Sequence, residues 1–257
     1  MIIKKTIEQI DKMKTAGQVL AGIFQALGPQ IAPGISTREI NDLAERLIRE
    51  HGGVPSFLGY RGFPASICAS PNNAIVHGIP NDATLVEGDI LSVDCGLILD
   101  GWHADSAYTY PVGQIDEEAA RLLEVTVRSL RAGIEQCRPG NRVGDIGAAV
   151  QKVVEDAGFS VVREYAGHQI GRQMHEGDVQ IPNYGTAGRG PVLEAGMVFA
   201  LEPMVNAGDW RTKLLDDNWT VVTEDDSLSA HFEHTVAITP AGPMVLTQPL
   251  PEREPAT

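Results

Sequence analysis

Four stretches of the chain repeat apolar residues at helical spacing, and each of them ends at a glycine or a proline. Capping boxes begin the first two stretches, at Thr6 with Gln9 and at Ser36 with Glu39. The pattern predicts amphipathic helices over residues 6–27, 36–51, 116–137 and 143–157. Between the second and third helices, the region before the long apolar runs is rich in Pro, Gly, Asn and Asp, which predicts loops and short strands.

A hairpin is predicted where two long apolar runs flank the pair Asp100-Gly101. Counting back from this turn pairs Asp94 with Ala107 and Gly96 with Asp105. The two aspartates then lie on one face as diagonal neighbours, roughly 7–8 Å apart at the backbone. Like charges on a half-buried face are costly unless a cation lies between them, so we expect a metal site; the alternative is a hairpin with solvated acids.

An internal repeat accounts for a second acidic position. The proline-glycine pair and helix at 33–52 recur 106 residues later, and the strand at 87–94 recurs 108 residues later. The second alignment places Glu202 in register with Asp94. Two related halves would each bring an acid to a shared seam, although chance similarity of short apolar strands is the alternative.

The second half supplies further candidate ligands. His168 and His175 are flanked by glycines and are predicted to lie in a loop, because histidine ligands on one helix would be three or four residues apart. Surface histidines are the alternative interpretation. Glu233 lies within an apolar strand, where an unpaired carboxylate would be expensive.

Composition narrows the class of protein. The 257 residues, 43% of them apolar, suffice for one large domain or two small ones, and no window reaches the roughly 18 apolar residues of a membrane span. A net charge of −14 argues against nucleic-acid or anionic membrane binding. With three cysteines and no recognisable signal peptide, we expect a soluble cytoplasmic protein with reduced thiols.

Four carboxylates and one imidazole form the candidate metal site. Hard oxygen donors with one nitrogen suit Mn, Fe, Co or Zn, and the absence of cysteine ligands argues against a structural zinc site. Four negative charges balance two divalent cations, which can lower the pKa of a shared water to roughly 7. Hydrolysis is therefore the expected reaction class. The five residues are Asp94, Asp105, His168, Glu202 and Glu233.

In these contexts the sequence resembles the type I methionine aminopeptidases from its first helix to about Thr247. The resemblance implies an α+β, duplicated pita-bread fold with pseudo-twofold halves and central antiparallel sheets covered by four main helices. We expect one catalytic domain over 1–248, with halves of about 1–112 and 113–248, and a flexible tail over 249–257. The motifs that carry the resemblance are Asn72 to Pro80, Asp94 with Asp105, Gly167-His168, Met174-His175-Glu176, Leu201-Glu-Pro-Met204 and Phe232-Glu-His-Thr235.

The resemblance also implies a role for each residue. Asp94 would bind one metal, Asp105 and Glu233 would bridge two, and His168 and Glu202 would complete the second. Glu202 would also carry a proton from the water to the leaving amine. His175 would contact the carbonyl oxygen of the scissile bond, and His77 its amide nitrogen. The implied substrate is the N-terminal methionine of nascent polypeptides, followed by a small second residue.

Two further sites are implied by the resemblance. The methionine pocket would be lined by Tyr60, Phe63, Cys68, Met174 and Trp219, for which ordinary core packing is the alternative. A Na or K ion would contact Asn72, the carbonyl of Ala74, and Ser229. The chain departs from the commonest bacterial pattern at Arg61, Phe63, Val76 and Met174, where His, Tyr, Cys and Phe are frequent; this puts pocket shape, not hydrolysis, in doubt.

Two alternative functions remain at this point. A prolidase or Xaa-Pro aminopeptidase has the same fold and ligand types, but such chains usually carry a preceding domain and other contexts around the last two acids. A binding module of this fold that has lost catalysis would be expected to lack ligands. We expect a monomer by default, and transient association with the ribosome.

Overall fold

The computed structural model describes residues 2–248, and within them the four predicted helices are confirmed, with ends within a few residues of the prediction. Both capping boxes form as expected, at Thr6 and at Ser36. The helices are α1 (Ile7–Leu27), α2 (Thr37–Glu50), α3 (Glu117–Glu135) and α4 (Val143–Asp156), with 3-10 turns at Gly28–Gln30 and Tyr60–Gly62. None of these helices is long and apolar enough to span a membrane.

Most of the described strands belong to one antiparallel sheet, in the order β1-β4-β5-β14-β9-β7-β8, with β2 added on β4 and β15 on β14. Two three-stranded sheets, β13-β10-β6 and β11-β12-β3, accompany it. The strands are β1 (Val54–Pro55), β2 (Ile67–Pro71), β3 (Ala74–Val76), β4 (Ile90–Leu99), β5 (Trp102–Pro111), β6 (Ser160–Val161), β7 (Ala166–Gln169), β8 (Glu176–Pro182), β9 (Val198–Leu201), β10 (Met204–Asn206), β11 (Thr212–Leu214), β12 (Val221–Thr223), β13 (Ser229–His231), β14 (Glu233–Thr239) and β15 (Gly242–Val245).

The predicted hairpin is confirmed with its register. Asp100 and Gly101 have φ values of 50° and 76°, as a two-residue turn of this kind requires. Asp94 pairs with Ala107, and Gly96 pairs with Asp105. The acids therefore lie where the turn-based count places them.

The internal repeat is visible in the backbone. Helices α2 and α4 each contain 14 residues, and α4 begins 106 residues after α2. Gly88 and Gly196, which are 108 residues apart, have φ values of 94° and 93°, a left-handed conformation that favours glycine. The boundary between halves near residue 112 stays a prediction, and the predicted tail 249–257 lies outside the described residues.

The packing of the hydrophobic core explains why Asp94 faces away from the helices. Val93 and Cys95 of β4 are fully buried in a cluster with Leu20 of α1 and Ile40 of α2. Since side chains alternate along a strand, Asp94 points to the opposite face. A second cluster joins α3 and α4 to β9 and β14 in the same way.

We predict opposite effects for two glycine-to-alanine changes in α1. A Cβ atom on Gly17 would lie 2.3 Å from the carbonyl oxygen of Leu246, so Gly17→Ala must separate the helix from the chain near β15. We expect a lower urea midpoint, with a loss of about 1–3 kcal/mol from overpacking.

Gly22→Ala is the matched control, because nothing lies within 4 Å of its added Cβ. Alanine has the better helix propensity, so this variant should be more stable by about 1 kcal/mol. Equal midpoints for the two variants would contradict the packing of α1 described here.

Candidate metal centre

The five predicted ligands lie on neighbouring strands of the large sheet. The order β4-β5-β14-β9-β7 brings Asp94, Asp105, Glu233, Glu202 and His168 side by side, with Glu202 directly following β9. Glu233 is the first residue of β14 and pairs with Ala107, the same residue that faces Asp94 across the hairpin. All five line one cavity, called the central cavity below.

The prediction of a loop at His168 is wrong, although it holds for His175. His168 lies in strand β7 and pairs with Ala200 of β9. The glycines were interpreted as loop residues, but a Cβ on Gly167 would lie 2.3 Å from the carbonyl oxygen of Ala200. Glycine is therefore needed here for close approach of two strands. His175 lies in the connection between β7 and β8.

The ligand atoms are close enough to share metal ions. One ligand atom each of Asp105, His168 and Glu233 lies within 4.8 Å of the others. Nε2 of His168 is 3.6 Å from Oε1 of Glu202 and 3.9 Å from Oδ2 of Asp105. Nδ1 of His168 is 3.1 Å from the carbonyl oxygen of Gln169, so a proton on Nδ1 leaves the Nε2 lone pair free for a metal.

The carboxylates lack the partners that buried charges require. Oδ1 of Asp94, Oδ1 of Asp105 and Oε1 of Glu233 are buried without a hydrogen-bond partner. Within residues 2–248, the one basic side chain within ion-pair distance of these carboxylates is His168, beside Asp105 and Glu202, and its imidazole is neutral. Removing such groups from water without compensation is costly, so the residues present fit a divalent cation.

Burial and mutual repulsion perturb the titration of the whole cluster. Burial raises the pKa of Asp94 from 3.8 to about 7. It also raises the pKa values of Asp105, Glu202 and Glu233 well above their ordinary range, and the charge of at least one other acid in the cluster adds to each shift. Burial lowers the pKa of His168 to about 3, which keeps the imidazole neutral, as metal ligation requires.

Two further histidines face the same cavity. Nδ1 of His175 lies 2.9 Å from the Tyr60 hydroxyl, and its ring centroid is 3.9 Å from that of His168. His77 has a left-handed backbone, with φ of 59°, and burial lowers its pKa to about 4. The rings of Tyr165 and Trp219 lie edge-on to His77 at 5.8 and 6.4 Å. Both imidazoles thus line the same cavity as the carboxylates.

The predicted apolar pocket forms one wall of the central cavity. Phe63 and Trp219 meet edge to face at 5.1 Å. Several of these side chains also belong to a buried hydrophobic cluster. They therefore pack in the core and line the cavity at the same time. Burial raises the pKa of the Cys68 thiol, which keeps it neutral. The predicted pocket residues all line the cavity: Tyr60, Phe63, Cys68, Met174 and Trp219. Arg61 and Val76, which differ from the commonest bacterial pattern, line it as well.

Sequence reasoning missed four lining residues. Tyr165 and Ala166 directly precede Gly167-His168, and this proximity was the one available signal. Met204 ends the motif Leu201-Glu-Pro-Met204, which was the signal available for it, whereas Phe57 has no signal beyond being apolar. All four line the central cavity.

The residues predicted to hold a monovalent cation lie away from this cavity. The Ser229 amide donates to the carbonyl of Asn72 at 2.9 Å, and Oδ1 of Asn72 accepts from the Ile90 amide at 3.1 Å. Ala74 lies in β3 and pairs with Val222 of β12. Their role stays a prediction.

Comparisons with known proteins agree with this geometry. The family model described as Metallopeptidase family M24 (Peptidase_M24) matches residues 11–240. A methionine aminopeptidase of Clostridium perfringens is 52% identical over 247 residues, covering 96% of this chain and 99% of the relative. The crystal structure of methionine aminopeptidase from Rickettsia prowazekii superposes with a TM-score of 0.95 at 44% identity, covering 96% of this chain and 100% of that one.

A more distant structure shows the shared fold alone. The prolidase of Pyrococcus furiosus superposes with a TM-score of 0.78 at 22% identity, covering 97% of this chain and 66% of that one. The prediction of the pita-bread fold is confirmed by these neighbours and by the sheet and four helices described above.

We predict that, in the absence of metal, the Asp94→Asn variant becomes more stable than the parent protein by a margin that grows as pH rises. Burial raises the pKa of Asp94 to about 7 in the folded protein, so its protonated carboxyl contributes fully to folding stability at a pH below the unfolded pKa. This contribution is lost as the pH rises through about 7. The difference in melting temperature, variant minus parent, should therefore grow between about pH 5 and pH 8.

Added Mn²⁺ should reverse this order at the upper pH, because the cation stabilises the parent and the variant lacks a ligand for it. Asp11→Asn, an exposed change on α1, is the control and should alter neither response. A variant-minus-parent difference that is independent of pH would contradict the burial of an unpaired carboxylate at Asp94.

Proposed function

The chain belongs to metallopeptidase family M24, and on that premise we propose that it is a methionine aminopeptidase, a hydrolase that removes N-terminal methionine. The single observation that carries the proposal is the meeting of all five ligand residues with the apolar pocket in one cavity. Identity of 52% over nearly the full chain supports the methionine substrate, whereas the prolidase alternative is supported only by a structure at 22% identity.

We propose that the four carboxylates and His168 hold two divalent ions, of Co, Mn, Fe or Zn. Four negative charges match two divalent cations, and oxygen donors with one imidazole suit these metals. Asp94 would hold one ion, His168 and Glu202 the other, and Asp105 and Glu233 both. When bound, the metals supply a water whose pKa is lowered to about 7 and which serves as the nucleophile.

The remaining residues move protons and orient the peptide. Burial raises the pKa of Glu202, so its carboxylate is suited to accept a proton from the water and release it to the leaving amine. The Tyr60 hydroxyl can donate to Nδ1 of His175, which leaves the Nε2 proton to be donated to the carbonyl oxygen as charge develops there. His77 contacts the scissile amide.

The pocket selects methionine by shape and dispersion. Phe63, Trp219, Met174 and Cys68 form an apolar wall that accommodates a flexible thioether. The free amine of the substrate would bind at the metal that Asp94 holds, and this contact would restrict cleavage to the chain end.

Four further assignments complete the proposal. Asn72, the carbonyl of Ala74, and Ser229 hold a monovalent cation, Na or K. The protein acts as a cytoplasmic monomer, and its three free, buried cysteines are compatible with a reducing compartment. Its substrates are nascent polypeptides, which it binds during transient association with the ribosome. Its strongly acidic surface does not bind nucleic acid.

The first test is metal-reconstituted cleavage of Met-Ala-Ser beside Ala-Pro-Ala. We expect release of methionine only, no cleavage without metal, and loss of activity in Asp94→Ala. His175→Ala should lower kcat by about 100- to 1000-fold, because it removes a donor to the developing oxyanion.

Other results would redirect the assignment. Cleavage of Ala-Pro-Ala instead would keep the fold and metal site but favour the prolidase branch. No cleavage of either peptide by folded protein with Mn, Fe, Co or Zn would favour a binding module.

We also predict that the second residue of the substrate must be small. The rings of Tyr165 and Trp219 pack against His77 in the lining of the central cavity, so they would leave little room beside an amide that His77 contacts. Met-Ala peptides should be cleaved with a higher kcat/KM than Met-Lys or Met-Glu peptides, measured by methionine release. Comparable kcat/KM values for all three would contradict this preference.

A further inference from the structure

A buried ion pair lies next to the site but outside it. Nζ of Lys5 is 2.5 Å from Oε2 of Glu176, and the side chains are 2% and 5% exposed. Lys5 precedes α1, whereas Glu176 begins β8 and directly follows His175. The pair therefore links the N-terminal segment of the chain to the connection that carries His175.

The Glu176 carboxylate folds this connection into a closed turn by accepting hydrogen bonds from its backbone. Its Oε1 accepts the backbone amide of Arg172, and it also accepts the amide of Gln173 at 3.3 Å. Met174 and His175 lie inside the closed turn. The carboxylate thus has three donors, of which Lys5 is the only charged one.

The pair packs directly against the turn. A Cβ on Gly171 would lie 2.5 Å from Oε1 of Glu176 and 2.6 Å from Cε of Lys5. Lys5 is held in turn by its own amide, which donates to the carbonyl of Gly196 at 2.7 Å. Little room remains for the carboxylate to move while Lys5 is in place.

Stability alone is a poor reason to bury these charges. Desolvation of a buried pair can exceed its Coulombic attraction, and well-packed apolar residues often do as well. The pair does fix geometry, because Lys5 is paired with and packed against the same carboxylate that closes the turn. His175 needs such a fixed position, since its hydrogen bond must meet the carbonyl oxygen in the transition state.

We propose that Lys5 is a positioning residue, which acts through Glu176 to direct the His175 imidazole at the reacting carbonyl. The inference rests on the function proposed above. It assigns a kinetic role to a residue that lies 171 positions before Glu176 in the sequence and is not among the residues proposed to bind metal or substrate.

The test compares Lys5→Met with Lys4→Met and Lys5→Arg in the metal-loaded protein. Lys5→Met should lower kcat for Met-Ala-Ser by about 10- to 100-fold with little change in KM, as loss of a transition-state interaction does. Lys4 forms an exposed ion pair with Glu194, so Lys4→Met should leave kcat unchanged. Lys5→Arg should recover most of the activity.

A double-mutant cycle separates positioning from general destabilisation. In a His175→Ala background, Lys5→Met should leave kcat unchanged, because the group that Lys5 positions is already gone. Lys5→Met combined with Glu176→Met should recover the melting temperature, since no charge remains buried, but not kcat. Mn²⁺ affinity from calorimetry should stay the same in all these variants.

A readout independent of activity follows the turn itself. The amides of Arg172 and Gln173 should exchange hydrogen faster in Lys5→Met than in Lys4→Met. Unchanged exchange, multiplicative losses of kcat in the His175→Ala background, or recovery of kcat with stability in the double variant would each overturn the proposal. Failure of the proposed function would show differently, as absence of methionine release by the unsubstituted chain.

Discussion

Four carboxylates converge on one cavity at the middle of the sheet, and their mutual repulsion is the constraint that the surrounding structure must balance. Burial raises the pKa values of all four, and the charge of a neighbouring acid adds to the shift at Asp105, Glu202 and Glu233. Three of their oxygens are buried without a hydrogen-bond partner. A folded chain tolerates this arrangement because each acid is held by a strand whose opposite face is packed against helices, and because cations can supply the missing charge.

The sheet order converts distant positions in the chain into one site. Asp94 and Asp105 come from a local hairpin, whereas Glu233 and His168 reach the same place only because β14 lies between β5 and β9, and β7 lies beyond β9. Backbone pairing fixes these positions before any ligand is bound. Close approach of β7 to β9 depends on Gly167, which no larger residue can replace without moving the carbonyl of Ala200.

The parts that could be predicted from the sequence are those set by local chemistry. An Asp-Gly turn specifies the hairpin register, so the face shared by Asp94 and Asp105 follows by counting. The repeat likewise predicts Glu202, because the glycine and apolar strand before Asp94 recur before Glu202; both glycines have the left-handed conformation. His168 was placed in the wrong element, since glycine in a strand and glycine in a loop look alike in sequence. The contact of Lys5 with Glu176 spans 171 residues and is set by tertiary packing alone.

Duplication and catalysis make different demands on this fold. The two halves supply corresponding acids, Asp94 and Glu202, and such symmetry suits the binding of paired cations. Hydrolysis of a peptide needs asymmetry, because the group that attacks the carbonyl carbon and the amine that leaves it are different and need different neighbouring side chains. In the proposed mechanism, the longer side chain of Glu202 would be one source of it, since a glutamate reaches further from its strand than an aspartate. The other source would be His175, whose turn is closed by Glu176, the partner of Lys5 in a buried ion pair. The contacts that would make the site asymmetric therefore have no counterpart in the internal repeat.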